Sequence, residues 1–464
     1  MLSSSNVRSF AKASPSPDFT TSSIVIDRSK CIACGLCVKA CKTVAGQSVL
    51  KLAKVGDKKL VSTASGKTLD QTNCIKCGQC TLVCGPGSIA EKDQISDVEA
   101  VLKNPQGKVT VCQTAPAVRI NLSDALGLPP GTISTGKMVT ALKKLGFQYV
   151  FDTNFSADMT IVEEASELVK RLTDPNFGPL PMFTSCCPAW INYVEQSDPE
   201  LIPQLSSCRS PMGMLSAAIK QDFPKVKNIN PSDIFNVAIM PCTAKKDEIE
   251  RPQLRTKEGL KETDYVITTR ELMRMIKKAK INFKKLPDTP FDTLYAESTG
   301  AGAIFCGSGG VMEAALRTAY KLITGNEMAD YHVKAVRGLD GIKIATVDIG
   351  GKPVSVAVTQ GIANAKKLIK KVRNGDEDVK NVKFIEVMAC PGGCVCGGGS
   401  TRAKTKKAIQ KRLDAVYQID DQSKEHASHN NAELNECYDR FLEGHYFSHK
   451  AHETLHTHLH ARKV

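Results

Sequence analysis

The chain has 464 residues, 42% of them apolar, with 18 cysteines and a formal net charge of +14. That length is enough for several domains, and no uninterrupted apolar run reaches the roughly 18 residues a membrane-spanning helix needs. Twelve of the cysteines fall into short clusters at metal-ligand spacing, which argues against a secreted disulfide framework and points to a reducing, intracellular compartment.

The first 17 residues, MLSSSNVRSFAKASPSP, hold Arg8 and Lys12, many serines and no acid, and the first carboxylate is Asp18. This composition fits an organellar presequence over 1–21, with a plain tail as the alternative. Two matching runs follow. CIACGLCVKAC places Cys31, Cys34, Cys37 and Cys41 at C-x2-C-x2-C-x3-C, and CIKCGQCTLVC repeats the spacing with Cys74, Cys77, Cys80 and Cys84. Three thiolates at that spacing wrap three corners of an iron–sulfur cube, and the fourth reaches the other cube in two-cluster ferredoxins. The expected sets are therefore Cys31, Cys34, Cys37 and Cys84 for one [4Fe–4S] cluster, and Cys74, Cys77, Cys80 and Cys41 for the other. Structural zinc uses paired knuckles instead. The expected unit is a small α+β, bacterial-type two-cluster ferredoxin domain over 22–95. The 32 residues between Cys41 and Cys74 exceed what a minimal version needs.

Beyond residue 105 the pattern changes to alternating strands and helices. VTVCQTAPAVR (109–119), PMFTSCCPAW (181–190), FNVAIMPCTAKKDE (235–248) and VKFIEVMACPGGC (382–394) each read as a buried strand followed by a breaker. In the last three a cysteine stands where the strand stops. Open α/β sheets bind ligands at the carboxyl ends of their strands, so Cys187, Cys242, Cys390 and Cys394 converge on one buried site, enough for a third cube.

TSCCPAW, MPCTAKKDE and EVMACPGGCVCGGG closely resemble the three signature motifs of the [FeFe] hydrogenases, in the family's order, and the resemblance runs from about residue 22 to the C-terminus, with the hydrogenosomal type as its nearest cast. It implies an α/β catalytic domain over 96–400, two lobes of parallel sheet around a buried cofactor, and a belt like the family's small subunit over 401–464. It implies reversible reduction of protons to H2 with reduced ferredoxin as electron donor. The cofactor would be an H-cluster: a [4Fe–4S] cube on Cys187, Cys242, Cys390 and Cys394, bridged through Cys394 to a two-iron subsite with CO, cyanide and a dithiolate. Gly392, Gly393 and Gly397 to Gly399 would make room for it. Cys396 matches no ligand and reads as a small buried residue.

The resemblance also implies roles around the cofactor. Lys245 matches a donor to cyanide, although KKDE by itself reads as a charged surface. Met240 and Met388 precede Cys242 and Cys390 by two, so their thioethers face the same side as the ligands; core filling is the alternative. Ala115, Pro116 and Phe305 match pocket-wall positions, while Ala117 and Met212 stand where some members have serine and glutamine. Cys186 matches a relay thiol. Glu164, Glu167 and Arg171 lie at i, i+3 and i+7 on one helix face. Alone they read as a solvated flank; by resemblance they join Ser206 in a proton path running from Glu164 through Glu167 and Ser206 to Cys186, with Arg171 at the mouth.

Lysine runs at 277–280, 366–371 and 404–412 supply much of the charge. They are solvated helix faces or a basic surface that steers an acidic partner. No nucleic-acid motif accompanies them. Six histidines lie between 445 and 460, with no compelling metal partner. Cluster assembly factors related to this family lack the full diiron pocket, and its sensory members replace the relay cysteine, so neither matches here. Dedicated maturation proteins are expected to supply the two-iron group. The presequence implies the hydrogenosome matrix, with a plastid as the alternative.

Overall fold

The computed structural model describes residues 16–55 and 57–463. Most of the expected presequence therefore lies outside the described residues. The strands are β1 (Ile24–Ile26), β2 (Leu50–Val55), β3 (Lys58–Thr63), β4 (Ile89–Glu91), β5 (Val109–Thr114) and β6 (Tyr149–Asp152). They continue with β7 (Met182–Phe183), β8 (Ile234–Met240), β9 (Tyr265–Thr268), β10 (Ile342–Ile349), β11 (Lys352–Gln360) and β12 (Val382–Met388).

β1 and β4 pair antiparallel and close the N-terminal unit. Each cysteine run turns into a short helix, Leu36–Thr43 or Gln79–Val83, through a glycine in the left-handed region, Gly35 or Gly78. That backbone, which side chains resist, turns the chain so that thiols before and inside each helix face one space. The extra residues between the runs form the β2–β3 hairpin. The unit starts earlier than the expected boundary at 22. Asp18 pairs with Ile26 through both backbone bonds, and its carboxylate accepts from the Leu69 N–H at 2.7 Å.

The catalytic region has two sheets. One, in the order β6-β5-β8-β9, is parallel throughout. β8 is buried at every position of IFNVAIM, as a strand covered on both faces must be. The other has the order β10-β11-β12-β7. Here β11, β12 and β7 are parallel, while β10 is an antiparallel edge strand joined to β11 through Gly350 and Gly351, both at positive φ. Paired positive φ is what a tight hairpin turn demands.

The C-terminal segment wraps both lobes with the helices Lys406–Gln422, Ala432–Phe441 and His449–Leu455. The basic run 404–412 divides: its lysines are exposed, but Arg412 is 1% exposed and pairs with Asp124 at 2.7 Å. Among the described residues no helix is long and apolar enough to cross a membrane.

Candidate active site between the lobes

β8 and β12 stop at Met240 and Met388, and Cys242 and Cys390 follow in the turns beyond. Cys187 caps the helix Pro188–Ser197, and Cys394 opens a 3-10 turn through Cys396. These four thiols share one cavity, about 770 Å3 of space not filled by protein atoms. Ala115, Pro116, Met240, Met388 and Phe305 form much of its apolar wall, and Met212 joins them. Cys186 and Lys245 reach the same space. Ala117 is fully buried beside it and does not line it.

All four thiols are free of disulfides. Burial, and then the neighbouring Cys187, pushes Cys242 up to about 12. Cys390 and Cys394 are raised well above the ordinary thiol range by burial and by the other cysteines around them. Four crowded sulfurs, none of them exposed, make a poor store of separate thiolates and a good donor set for iron, which takes up the charge that deprotonation leaves. The chemistry of the set fits a cube.

The glycines of MACPGGCVCGGGS answer to something other than the cofactor alone. A Cβ at Gly397 would sit 2.1 Å from the Pro241 carbonyl oxygen, one at Gly398 2.1 Å from that of Cys77, and one at Gly393 2.6 Å from that of Cys306. The expected clash is with protein backbone. This run is where the catalytic lobe and the iron–sulfur unit press together. Gln79 Nε2 donates to the Cys396 carbonyl at 3.2 Å, and Thr81 Oγ1 to that of Gly398 at 3.0 Å.

In the N-terminal unit Cys41, Cys74, Cys77 and Cys80 line a separate space of about 440 Å3. Cys37 is raised to about 11 by burial and then by the charges of Cys84, Cys31 and Cys34. The structure thus gathers the eight cysteines into the two crossed sets. Cys77 borders both its own space and the interlobe cavity. At the far end Cys34 is exposed.

Glu164, Glu167 and Arg171 lie on the helix Thr153–Thr173, started by Asp152, whose side chain accepts from the Asn154 N–H. They are no solvated flank: Glu164 is 0% exposed, Glu167 2% and Arg171 7%. Arg171 Nη2 lies 2.6 Å from Glu167 Oε1, and Ser206 Oγ donates to Glu167 Oε2 at 2.9 Å. Among the described residues neither carboxyl oxygen of Glu164 has a well-formed hydrogen bond, although Ser206 and the Ser185 backbone lie beside it and oppose the rise in its pKa. Burial, then the Glu167 charge, raises it to about 8, so it holds its proton at neutral pH. Among the charges acting on Cys186, that of Glu164 is the largest. Arg171, Glu167 and Ser206 are thus joined in that order by direct contacts, and Glu164 stands between this group and Cys186.

Lys245 and Lys246 are both buried, against the reading of KKDE as a surface. Lys245 Nζ donates to Ser210 Oγ at 2.6 Å and lies 2.6 Å from Glu248 Oε2. Ser210 and Glu248 hold this lysine and were passed over in the sequence; the i,i+3 spacing of Lys245 and Glu248 was the available signal. Glu163 lies on the same helix, and Ser207 and His456 adjoin it; nothing in their local sequence sets them apart.

Family models match three parts of the chain: "4Fe-4S dicluster domain" at residues 30–88, "Iron only hydrogenase large subunit, C-terminal domain" at 108–398 and "Iron hydrogenase small subunit" at 406–462. The chain is 43% identical to Iron hydrogenase 1 of Clostridium pasteurianum over 95% of its own length and 76% of that protein. It is 51% identical to the periplasmic [Fe] hydrogenase large subunit of Nitratidesulfovibrio vulgaris over 66% of its length and 71% of that protein. The solved structure of an apo [FeFe]-hydrogenase from Chlamydomonas reinhardtii covers 80% of this chain and 100% of its own, at 41% identity and a TM-score of 0.71. Cradles for two iron–sulfur clusters leading to a thiol-lined cavity, and matches of this extent across it, have one meaning: the chain belongs to the iron-only, or [FeFe], hydrogenases, oxidoreductases that act on H2 through an H-cluster.

Proposed function

We propose that this hydrogenase runs 2 H⁺ + 2 e⁻ ⇌ H2 with an acidic ferredoxin as its electron partner, and that its protons travel along Arg171, Glu167, Ser206, Glu164 and Cys186. When bound, the H-cluster supplies the redox chemistry at iron. The chain's own residues do the rest. Cys187, Cys242, Cys390 and Cys394 would hold the cube. Met240, Met388, Ala115, Pro116 and Phe305 keep water from the cavity. Lys245, steadied by Ser210 and Glu248, would supply a hydrogen-bond donor to the bound cofactor. Glu164 holds a proton beside Cys186, and Arg171 steadies the Glu167 carboxylate.

The observation that carries the electron route is the position of two cysteines: Cys34 is exposed, and Cys77 borders the interlobe cavity. Close to Cys34 in the chain stand exposed Ile32 and Leu36 and the exposed lysines Lys30, Lys39 and Lys42, Lys30 being paired with Asp27. Exposed apolar and cationic side chains on one segment suit an acidic protein surface. The test is infrared spectroscopy of the protein matured with its assembly proteins, followed by turnover with reduced ferredoxin. CO and cyanide bands with ferredoxin-driven H2 evolution are expected. Bands without ferredoxin turnover would sink the choice of donor. Expression without assembly proteins should give cubes and no such bands.

The same reading places the enzyme in a hydrogenosome matrix, with an algal plastid as the alternative. It rests on the basic, acid-free leader around Arg8. Deleting residues 1–15 spares the hydrogen bond from Arg28 to the Ser16 carbonyl and should leave the protein in the cytosol. Unchanged organelle import would defeat the assignment.

A further inference from the structure

The two cysteine runs are internal copies, and they differ where one of them meets the catalytic lobes. Cys31-Ile32-Ala33-Cys34 and Cys74-Ile75-Lys76-Cys77 turn through the same backbone, with Ala33 at φ 56° and Lys76 at φ 59°. That left-handed region is costly for residues other than glycine. Both copies keep it, so it belongs to the cradle itself. The side chains part ways: Ile32 is 69% exposed and Ile75 1%. Ala33 offers nothing polar beyond its backbone, whereas Lys76 brings an ammonium that the lobes hold.

Three side chains grip the inner loop, each from beside a functional residue of the cavity. Asn192 lies on the helix Pro188–Ser197 that Cys187 caps, and its Nδ2 donates to the Ile75 carbonyl at 3.4 Å. Thr243 follows Cys242, and its hydroxyl donates to the Lys76 carbonyl at 2.7 Å. Asp247 follows Lys245 by two residues. Its Oδ1 lies 2.6 Å from Lys76 Nζ, and its Oδ2 accepts from Asn192 Nδ2 at 3.1 Å. Asn192 and Thr243 are fully buried. A Cβ at Gly78 would run into Thr243 Oγ1, so the loop leaves space for this hydroxyl. Nothing of the kind holds the outer copy among the described residues; there the Ala33 N–H donates to Cys31 Sγ at 3.4 Å.

Such a grip fixes a separation. Electron transfer between two cofactors slows steeply as the gap between them widens, and the potential of an iron–sulfur cluster follows the hydrogen bonds and exposure around its ligands. Residues that orient ligands from outside matter nearly as much as the ligands. Cys77 borders both its own space and the interlobe cavity. With two carbonyls and one ammonium pinned, the segment 75–77 cannot shift without breaking contacts made from beside Cys187 and Cys242. We propose that Thr243 and Asp247 are positioning residues for electron transfer: by holding Lys76 at its carbonyl and its ammonium, they set how far the inner iron–sulfur cradle stands from the cavity. One electron leaves the site on Cys77 and one arrives at the site on Cys242. No bond breaks, and the Thr243 hydroxyl keeps its proton. The proposal rests on the electron route through Cys77 given above.

The test uses the full-length matured enzyme and its Thr243→Val, Thr243→Ser, Lys76→Ala and Asp247→Asn variants. Thr243→Val keeps the shape and removes the donor, and Lys76→Ala gives the inner loop the residue of its copy. Infrared bands report the cofactor. Electron paramagnetic resonance reports the potential of the inner cluster and its magnetic coupling to the cavity cofactor, which weakens with separation. Rapid mixing with reduced ferredoxin, followed through the infrared bands, reports the arrival of electrons. Thr243→Val and Lys76→Ala are expected to keep the bands, weaken the coupling and slow arrival several-fold, with the KM for ferredoxin, set at the Cys34 end, unchanged. Asp247→Asn should act in the same direction, and Thr243→Ser should restore parental behaviour. Parental coupling and arrival in both Thr243→Val and Lys76→Ala would overturn the proposal. A Thr243→Ser variant as slow as Thr243→Val would overturn it too, since the effect would then belong to methyl packing. Both outcomes leave the electron route standing. Cavity bands that respond to ferredoxin in the parent while the N-terminal clusters take no part would remove the route and the positioning role together.

Discussion

In the N-terminal unit, eight cysteines come from two runs of eleven residues, Cys31 to Cys41 and Cys74 to Cys84. The interlobe cavity gathers four from positions 187, 242, 390 and 394, each brought in by a different turn. The first arrangement leaves one ligand, Cys34, at the surface; the second has none exposed, with Cys390 buried and the other three half-buried. The difference follows from what each must move. An electron crosses between cofactors without a continuous chain of contacts, so the outer cradle can stand in open solvent. A proton needs a donor within hydrogen-bond reach at every step, so the cavity is served by buried polar groups such as Glu164 and Ser206.

The largest expected effects come from exchanging ligands between these settings. Cys394→Ser should abolish H2 turnover and remove iron from the cavity alone, with the electron paramagnetic resonance signals of the two N-terminal clusters intact. Cys34→Ser should spare dye-driven turnover and reduce ferredoxin-driven turnover. If Cys394→Ser also emptied the N-terminal cradles, the two regions would be one folding unit and the contrast would fail.

Next in size is Glu164. Glu164→Gln should keep the cofactor bands and cut turnover about 100-fold or more, as for loss of a general acid. It should also change stability with a definite sign. The folded protein keeps the Glu164 proton up to about pH 8, while the unfolded chain releases it near the ordinary carboxyl value. The unfolded state therefore binds fewer protons between about pH 5 and 8, and parental stability falls as pH rises through that window. Thermal melts should show Glu164→Gln gaining on the parent over the same range. A constant difference in Tm would mean that Glu164 is ionised in the fold.

These two effects also mark what the sequence could and could not tell. Cys31 to Cys84 were legible because all their ligands sit at short, fixed spacing. The strand-end cysteines were legible because parallel strands read as apolar runs with breakers after them. The β10–β11 hairpin went unseen, since IKIATVDIGGKPVSVAVTQ was not among the runs that end in cysteine. The burial of Glu164, Glu167 and Lys245 was illegible because charged residues in sequence look solvated; Ser206 against Glu167 and Ser210 against Lys245 are distant in the chain. His456 was missed for the same reason, its partners lying at 163 and 207.

A smaller effect tests the seam between the regions. Gly398→Ala would put a Cβ 2.1 Å from the Cys77 carbonyl oxygen, a backbone atom that cannot swing aside. Overpacking of this kind costs about 1–3 kcal/mol. A lowered Tm is expected, with electron transfer from the N-terminal unit slowed more than cofactor content. A variant as stable and as fast as the parent would mean that the seam is loose.

The smallest expected effect concerns the outer end of the electron route. Lys30, Lys39 and Lys42 are exposed close to Cys34 in the chain, so an acidic ferredoxin gains speed by attraction before it touches. Such attraction acts over a Debye length, about 10 Å at 0.1 M salt. Raising salt should therefore slow the ferredoxin-driven reaction several-fold through its association rate, as steering does. A small uncharged dye feels no such field and should react at an unchanged rate. Because Cys34 is exposed while the cavity is enclosed, the salt effect should vanish once electrons come from the dye, whichever way the proton path is altered. If dye and ferredoxin respond alike, the lysines around Cys34 are solvated surface and the donor docks elsewhere.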